Sequence, residues 1–344
     1  MEINIFKTVT IIDRENSLKY INKEGIAKLP KSITAIGKEA FYCCEQLEKI
    51  DLSECEKLGT IGDGAFKCCP SLKEVKLPKS ITAIGEEAFY SCKQLEKIDL
   101  SEFDKLETIG DRTFKYCSSL KEAKLPKSIT AIGESAFNSC EQLEKIDLSE
   151  CEKLVIIGDA AFAAFWSSSL KEAKLPKSIT AIGKEAFYRC KQLEKIDLSE
   201  CEELETIGDG TFSECKSLKE VKLPKSITAI GESAFNSCGQ LEKINLSECD
   251  KLERIDDEAF KECEALNDSF LASYFKRKEE KKIEEKRLKE EKLEAERKLK
   301  AERIRKLKAE RKLKAEEERD KTAKIAGLIL LIMFISYLIL RFMI

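Results

Sequence analysis

The nonapeptide Leu29-Pro-Lys-Ser-Ile-Thr-Ala-Ile-Gly37 decides the fold, because it recurs unchanged from Leu77, Leu125, Leu175 and Leu223. Its steps of 48, 48, 50 and 48 residues each split again. Leu47-Glu-Lys-Ile50-Asp-Leu52 is followed by Leu72-Lys-Glu-Val75-Lys-Leu77, so the unit is 23 to 25 residues long and comes in two alternating flavours. Ten copies run from Leu29 to Leu266. A fixed period of this size is the mark of a solenoid.

Each unit repeats the same parts. An L-x-x-I/V/A-x-L run alternates apolar and polar residues, which predicts a short strand with one buried face. An Ile-Gly pair follows, as at Ile36-Gly37, Ile61-Gly62 and Ile84-Gly85, and its glycine suits a turn that needs positive φ. Then come Ala-Phe or Thr-Phe, as at Ala40-Phe41 and Thr113-Phe114, and a Cys three residues before the next Leu. One unit cannot bury its Leu, Ile and Phe alone, whereas stacked neighbours bury them as a continuous core.

The L-x-x-V-x-L-P run of Leu72–Pro78, the box of Ile84–Phe89 and the Cys-x-x-Leu close of Cys92–Leu95 resemble the Treponema-type, or BspA-like, leucine-rich repeat family. The resemblance covers Leu29 to Leu266. It implies an α/β repeat fold, a curved leucine-rich-repeat solenoid with parallel strands on one face. Members of that family are often surface-associated binding proteins.

The fifteen cysteines mostly form columns. Cys44, Cys69, Cys92, Cys117, Cys140, Cys190, Cys215, Cys238 and Cys263 share one repeat position, with Ser167 in the remaining slot. Cys55, Cys151, Cys201 and Cys249 share a second, where Phe103 replaces one. Phe and Ser stand-ins and the lack of CxxC spacing favour small buried side chains over a metal site. No metal or other cofactor is implied. The chain contains no histidine, which removes Ser-His-Asp and Cys-His catalysis and the usual near-neutral base. The expectation is a non-catalytic protein.

The polar strand positions reverse sign at every step. One column reads Lys49, Glu74, Lys97, Glu122, Lys145, Glu172, Lys195, Glu220. Its neighbour reads Asp51, Lys76, Asp99, Lys124, Asp147, Lys174, Asp197, Lys222. A third runs Glu48, Lys73, Glu96, Lys121 and onward in the same alternation. These columns are a candidate partner-binding face. The competing reading is a self-neutralising ladder that fixes register, and it is preferred, because matched charge does not steer a partner. One repeat breaks the pattern: Phe162 to Leu170 spans two more residues than Phe66 to Leu72. The insertion holds Phe165 and Trp166, the only tryptophan, and is a second candidate contact site unless the rings fill their own core.

Beyond the repeats the composition changes. Lys276–Lys324 has no Gly or Pro and carries 22 basic and 14 acidic residues, a net of +8, against a net of −11 for the rest of the chain. Lys, Glu, Arg, Leu and Ala are good helix formers, and pairs such as Glu294–Lys298, Glu296–Lys300, Glu302–Lys306 and Glu310–Lys314 support a helix. Ile283, Leu288, Leu293, Leu299, Ile304, Leu307 and Leu313 keep no 3,4 spacing, so a single helical spacer is expected rather than a coiled coil, with oligomerisation through it the alternative. Its basic residues are not interleaved with aromatics, and no specific nucleic acid is expected. Ile325–Ile344 (IAGLILLIMFISYLILRFMI) has the length and apolarity to span a bilayer.

The expected organisation is an N-terminal cap (1–28), a solenoid (29–270), a charged helical stalk (271–324) and a transmembrane tail (325–344). The first residues, MEINIFKTVTIIDRENSLKY, show no signal-peptide pattern. The expected placement is therefore a single-pass C-terminal tail anchor with the repeats in the cytosol, where they scaffold or tether protein partners. The alternative is an adhesin-like cell-surface protein that binds host or matrix molecules.

Overall fold

The computed structural model describes residues 10–166, 168–256 and 258–342. The chain divides into two units, Met1–Leu271 and Ala272–Ile344.

The first unit is a parallel β-solenoid of about ten turns. Every turn lays one short strand into each of two columns. The L-x-x-I-x-L runs form the first column: Ile26–Ala27, Lys49–Asp51, Glu74–Lys76, Lys97–Asp99, Glu122–Lys124, Lys145–Asp147, Glu172–Lys174, Lys195–Asp197, Glu220–Lys222 and Lys243–Ile244. The second column starts with Ile11–Ile12, Ala35–Ile36 and Thr60–Ile61 and continues to Arg254–Ile255. Pairing within each column is parallel, with the isoleucines in register, as in Ile36↔Ile61 and Ile61↔Ile84. Ile11–Ile12 and Ile26–Ala27 pair into the two columns, so the solenoid already includes residues ahead of Leu29.

The wall between the columns has no regular strand, yet it is hydrogen-bonded from turn to turn. Glu39, Phe41 and Cys43 donate their N–H groups to the carbonyls of Asp63, Ala65 and Lys67 at 2.8, 2.7 and 2.8 Å. To aim successive N–H groups the same way, the chain takes up left-handed φ at two sites in most turns, such as Glu39 (52°) and Cys43 (55°). Non-glycine residues there cost about 1–2 kcal/mol each, and the cross-turn bonds offset that cost. Inside this wall, Phe41, Phe66, Phe89, Phe114, Phe137, Phe162, Phe187, Phe212, Phe235 and Phe260 form one stack with centroids 5.1–5.5 Å apart. The Leu, Ile and Ala positions of the repeat complete the core.

The glycine of the Ile-Gly pair has a different role from the one expected. Positive-φ glycines among the described residues are Gly25, Gly64 and Gly210, none of which follows that isoleucine. What the Ile-Gly position requires is space: a Cβ on Gly85 would lie 2.5 Å from Asp63 Oδ1 and 2.6 Å from the Asp63 N. Gly110 and Gly208 are roomier, with the nearest atoms at 3.3 Å. These are the two turns whose box reads Thr-Phe. The buried hydroxyls of Thr113 and Thr211 bond the carbonyls of Gly110 and Gly208 at 2.8 and 2.9 Å and reach those of the preceding turn, Gly85 and Gly183. The larger side chain holds the turns apart.

The thiol column also does more than fill space. Cys69, Cys92, Cys117, Cys140, Cys190, Cys215, Cys238 and Cys263 donate Sγ–H to the carbonyl of the Phe one turn back, at 2.9–3.4 Å. Cys is small enough for the site and still satisfies a wall carbonyl. Burial pushes the thiols of Cys92, Cys117, Cys140, Cys190 and Cys215 up, to about 12 at Cys190. The slot assigned to Ser167 lies outside the described residues; the adjacent Ser168 is buried and its hydroxyl accepts the Leu170 N–H at 3.1 Å.

The second unit is built on one α-helix, α1, Asp268–Phe342. Of the four expected i,i+4 pairs, Glu294–Lys298 and Glu302–Lys306 close at 2.8 and 3.2 Å. The helix is long and apolar enough to cross a membrane by length and composition, and the side chains of its apolar stretch are exposed.

Candidate interaction surfaces

On the strand face the sixteen charges read from the sequence meet one another. Lys49–Glu74, Lys97–Glu122, Lys145–Glu172 and Lys195–Glu220 are ion pairs at 3.5, 3.2, 3.2 and 3.6 Å. Asp51–Lys76, Asp99–Lys124, Asp147–Lys174 and Asp197–Lys222 pair at 3.4, 3.7, 3.6 and 2.9 Å. Each aspartate also accepts the hydroxyl of the serine two residues on, as Ser53 Oγ to Asp51 Oδ1 at 2.6 Å. That bond, opposed by partial burial and reinforced by the Lys76 ammonium, holds the Asp51 carboxyl below its usual range. Glu122 and Glu172 are held low by Lys124 and Lys174, then by Lys97 and Lys145.

The ladder is interrupted at every second step, although the sequence alternates without a break. Among the described residues no ion pair within 4.0 Å joins Glu74 to Lys97, Glu122 to Lys145, Glu172 to Lys195 or Glu220 to Lys243. The backbone shows the same couples. Lys49–Asp51 pairs with Glu74–Lys76 through three residues, and Leu52 N–H continues the ladder to Lys76 O at 2.8 Å, whereas Glu172–Lys174 meets the next strand at Glu172↔Lys195 alone. The second strand of each couple runs into Leu-Pro, as at Leu77-Pro78, and proline has no N–H with which to extend a ladder. The repeating unit of this face is therefore the 48-residue couple of turns.

The irregular repeat places its rings outside the core. Phe162 keeps its place in the stack and Ala163 and Ala164 are buried, while Phe165 and Trp166 are 54% and 77% exposed. The inserted backbone is tied down. Phe165 N–H donates to Ser139 Oγ at 3.2 Å, Arg189 Nη1 to Phe165 O at 3.0 Å, and Lys191 Nζ to Trp166 O at 2.8 Å. The two rings border a cleft of about 560 Å³ whose other walls are Tyr90, Ser91, Lys93, Tyr116, Ser118, Ser139 and Glu141. Tyr90 and Tyr116 meet edge to face at 5.4 Å, and Lys67 and Lys115 lie over their rings at 5.0 and 5.4 Å. The tyrosines were not among the expected site residues. Their signal is the Phe-Tyr pair at Phe89-Tyr90 and the offset Phe-Lys-Tyr at Phe114–Tyr116, which stacking brings together.

Rigid aromatic rings with hydroxyls and a few charges around them are the composition of a macromolecular contact surface. Among the described residues no group of three or more Cys, Asp or Glu is arranged to hold a metal ion.

No curated protein matches the chain. Among solved structures, a leucine rich cell surface protein from Faecalibacterium prausnitzii A2-165 is similar at 26% identity and TM-score 0.40, over 75% of this chain and 82% of that one. A leucine-rich repeat protein from Bacteroides ovatus ATCC 8483 is similar at 24% identity and TM-score 0.32, over 72% and 88%. The pneumococcal vaccine antigen PcpA is similar at 21% identity and TM-score 0.36, over 71% and 67%. The model of the BspA type leucine rich repeat region matches residues 1–103, 103–204 and 184–296, in six copies. With its period, its two parallel strand columns and its phenylalanine stack, the chain belongs to the BspA type leucine-rich repeat family.

Proposed function

We propose that this protein is a non-catalytic interaction scaffold, anchored in a membrane through Ile325–Ile344, with its repeat body in the cytosol and a protein partner docked on the Tyr90–Tyr116–Phe165–Trp166 shelf. The observation that carries the reading is the exposed, backbone-pinned Trp166 beside three more aromatic side chains in one cleft. Trp and Tyr dominate the energetics of protein interfaces. The exposed apolar side chains from Ile325 to Ile339 support the anchor. The charged stretch of α1 serves as a spacer of about 70 Å.

The partner test is cross-linking capture from membranes of expressing cells, comparing the unmodified chain with Trp166→Ala and with the strand-face control Lys124→Glu. Trp166→Ala should weaken capture roughly ten-fold or more, and Lys124→Glu should leave it nearly unchanged. The reverse ranking would move the site to the strand face. For topology, a glycosylation acceptor added after Ile344 should be modified in the lumen. Modification of the native sequons at Asn245 or Asn267 instead would place the repeats outside the cytosol and reject this part of the proposal.

A further inference from the structure

A second site is independent of that shelf. Twelve of the cysteines are buried, Cys68 and Cys263 are partly exposed, and Cys43 is exposed. Cys263 belongs to the carbonyl-bonded column, so Cys43 and Cys68 are the two outside both columns. They occupy the same place in successive turns: Phe41 stacks on Phe66 at 5.2 Å, and each cysteine follows its phenylalanine by two residues. Both have left-handed backbone, φ 55° and 58°, so their side chains leave the wall in parallel. Cys43 lies close enough to Cys68 that, after burial, it is the main influence pushing the Cys68 thiol up. Hydrogen-bonded turns lie about 4.8 Å apart, within the roughly 4.4–6.8 Å Cα separation at which a disulfide closes. Cys44 and Cys69 stand directly behind them, but both are buried, and Cys69 Sγ is engaged by Phe41 O at 2.9 Å.

We propose that Cys43 and Cys68 are a surface dithiol site whose substrate is a low-molecular-weight disulfide such as glutathione disulfide, and that exchange there staples two N-terminal turns of the solenoid. Cys43, the more exposed sulfur, attacks as the thiolate on one sulfur of the small disulfide. The disulfide bond breaks, one thiolate leaves, and a mixed disulfide forms on Cys43. Cys68 then gives its proton to solvent and attacks Cys43 Sγ, expelling the second thiolate. The protein dithiol loses two electrons and two protons, and the small disulfide becomes two thiols. Burial and then Cys43 push the Cys68 thiol up, and the Lys67 ammonium opposes that rise, so Cys43 attacks first and Cys68 resolves. The fully buried column thiols Cys92, Cys117 and Cys215 do not compete, because burial disfavours their thiolates and shields them from a small disulfide.

The test uses the full chain in detergent micelles, reduced and then exposed to glutathione disulfide, with thiols trapped by maleimide and mapped by peptide mass spectrometry. Cys43 and Cys68 should lose maleimide reactivity at least roughly ten-fold faster than any other cysteine. A single Cys43–Cys68 link should appear, and dithiothreitol should reverse it. In Cys43→Ser the link should be absent and Cys68 should carry no more than one glutathione; Cys68→Ser should leave a stable mixed disulfide on Cys43. A link through Cys44 or Cys69, separate glutathiones on Cys43 and Cys68 of the unmodified chain, or reaction no faster than at the buried thiols would each overturn the proposal.

Discussion

Two alanine substitutions at equivalent repeat positions should have very different costs. In Gly85→Ala the new Cβ would stand 2.5 Å from Asp63 Oδ1, 2.6 Å from Asp63 N and 2.8 Å from Gly62 C. The carboxylate can swing aside, but the backbone atoms cannot, so the turns must separate by about 0.8 Å to restore contact distance. Overpacking of this kind costs about 1–3 kcal/mol. The separation also strains two cross-turn hydrogen bonds, Gly85 N to Ile61 O at 2.8 Å and Glu86 N to Asp63 Oδ1 at 3.2 Å. Losing one of them adds about 1 kcal/mol. Because φ at Gly85 is not left-handed, alanine gains about 0.4–1 kcal/mol by restricting the unfolded chain. The net is a loss of about 2–3 kcal/mol. In Gly110→Ala the nearest atoms are Glu86 N at 3.3 Å and Gly85 C and Thr113 Oγ1 at 3.4 Å, so a shift of a few tenths of an ångström suffices. The two terms then nearly cancel, within about 1 kcal/mol. Urea unfolding of the full chain in detergent, followed by circular dichroism, measures the difference. At a slope of about 3 kcal/mol/M, Gly85→Ala should lower the midpoint by roughly 1 M, with faster amide exchange confined to turns around residues 60–90. Equal midpoints for the two variants would refute the claim that the Thr113 hydroxyl sets the turn spacing.

Phe114→Ala removes a ring stacked on both Phe89 and Phe137 and should cost about 3–5 kcal/mol; since each turn is stabilised by its neighbours alone, the urea transition should become biphasic. Ser233→Gly, at a left-handed site (φ 54°) where other turns carry Gly64 and Gly210, should raise stability by roughly 0.5–1 kcal/mol, read as a higher urea midpoint. Acid should unfold the solenoid: the folded pKa values of Asp51, Asp147, Glu122 and Glu172 lie below their unfolded values, so their stabilisation is present above about pH 4 and is lost as pH falls through the folded values. A melting temperature flat from about pH 7 to 5 and falling below about pH 4 is expected, with a smaller fall in Ser149→Ala, which removes the hydroxyl bonded to Asp147 at 2.6 Å.

The period of the sequence makes most of the solenoid legible. The alternation in Leu-Glu-Lys-Ile-Asp-Leu places Ile50 inward and Lys49 and Asp51 outward, as found. Ala-Phe at one slot per repeat becomes the ring stack. Three features depend on distances between turns that no single repeat contains. Ile-Gly looks like a turn needing positive φ, but Gly85 is there because Asp63 of the preceding turn approaches too closely for a Cβ. The strand charges alternate evenly in sequence, yet Lys97 closes on Glu122 at 3.2 Å and makes no ion pair with Glu74. The outward turn of Trp166 follows from Ala163 and Ala164 filling the core behind Phe162, which the added length of that repeat alone does not reveal. Tyr90 and Tyr116 escape notice for a related reason: they sit at different offsets from their phenylalanines and become neighbours through the stack.

The same geometry separates the two candidate surfaces on energetic grounds. A partner that recognised the strand face would have to displace ion pairs already closed at 2.9–3.7 Å between exposed side chains. Each such pair is worth about 0–1 kcal/mol, and a partner's charges would replace it with another of similar worth, so little net affinity results. The aromatic shelf has no such competition. Trp166 is mostly exposed, and its backbone is held by Lys191 and, through Phe165, by Arg189 and Ser139. A fixed backbone lowers the entropy lost on docking. Covering about 150 Å² of ring surface at about 25 cal/mol/Å² is worth roughly 4 kcal/mol. On these energies the strand face would add little affinity, and the proposed docking falls on the one repeat whose loop is two residues longer while its strands stay in register.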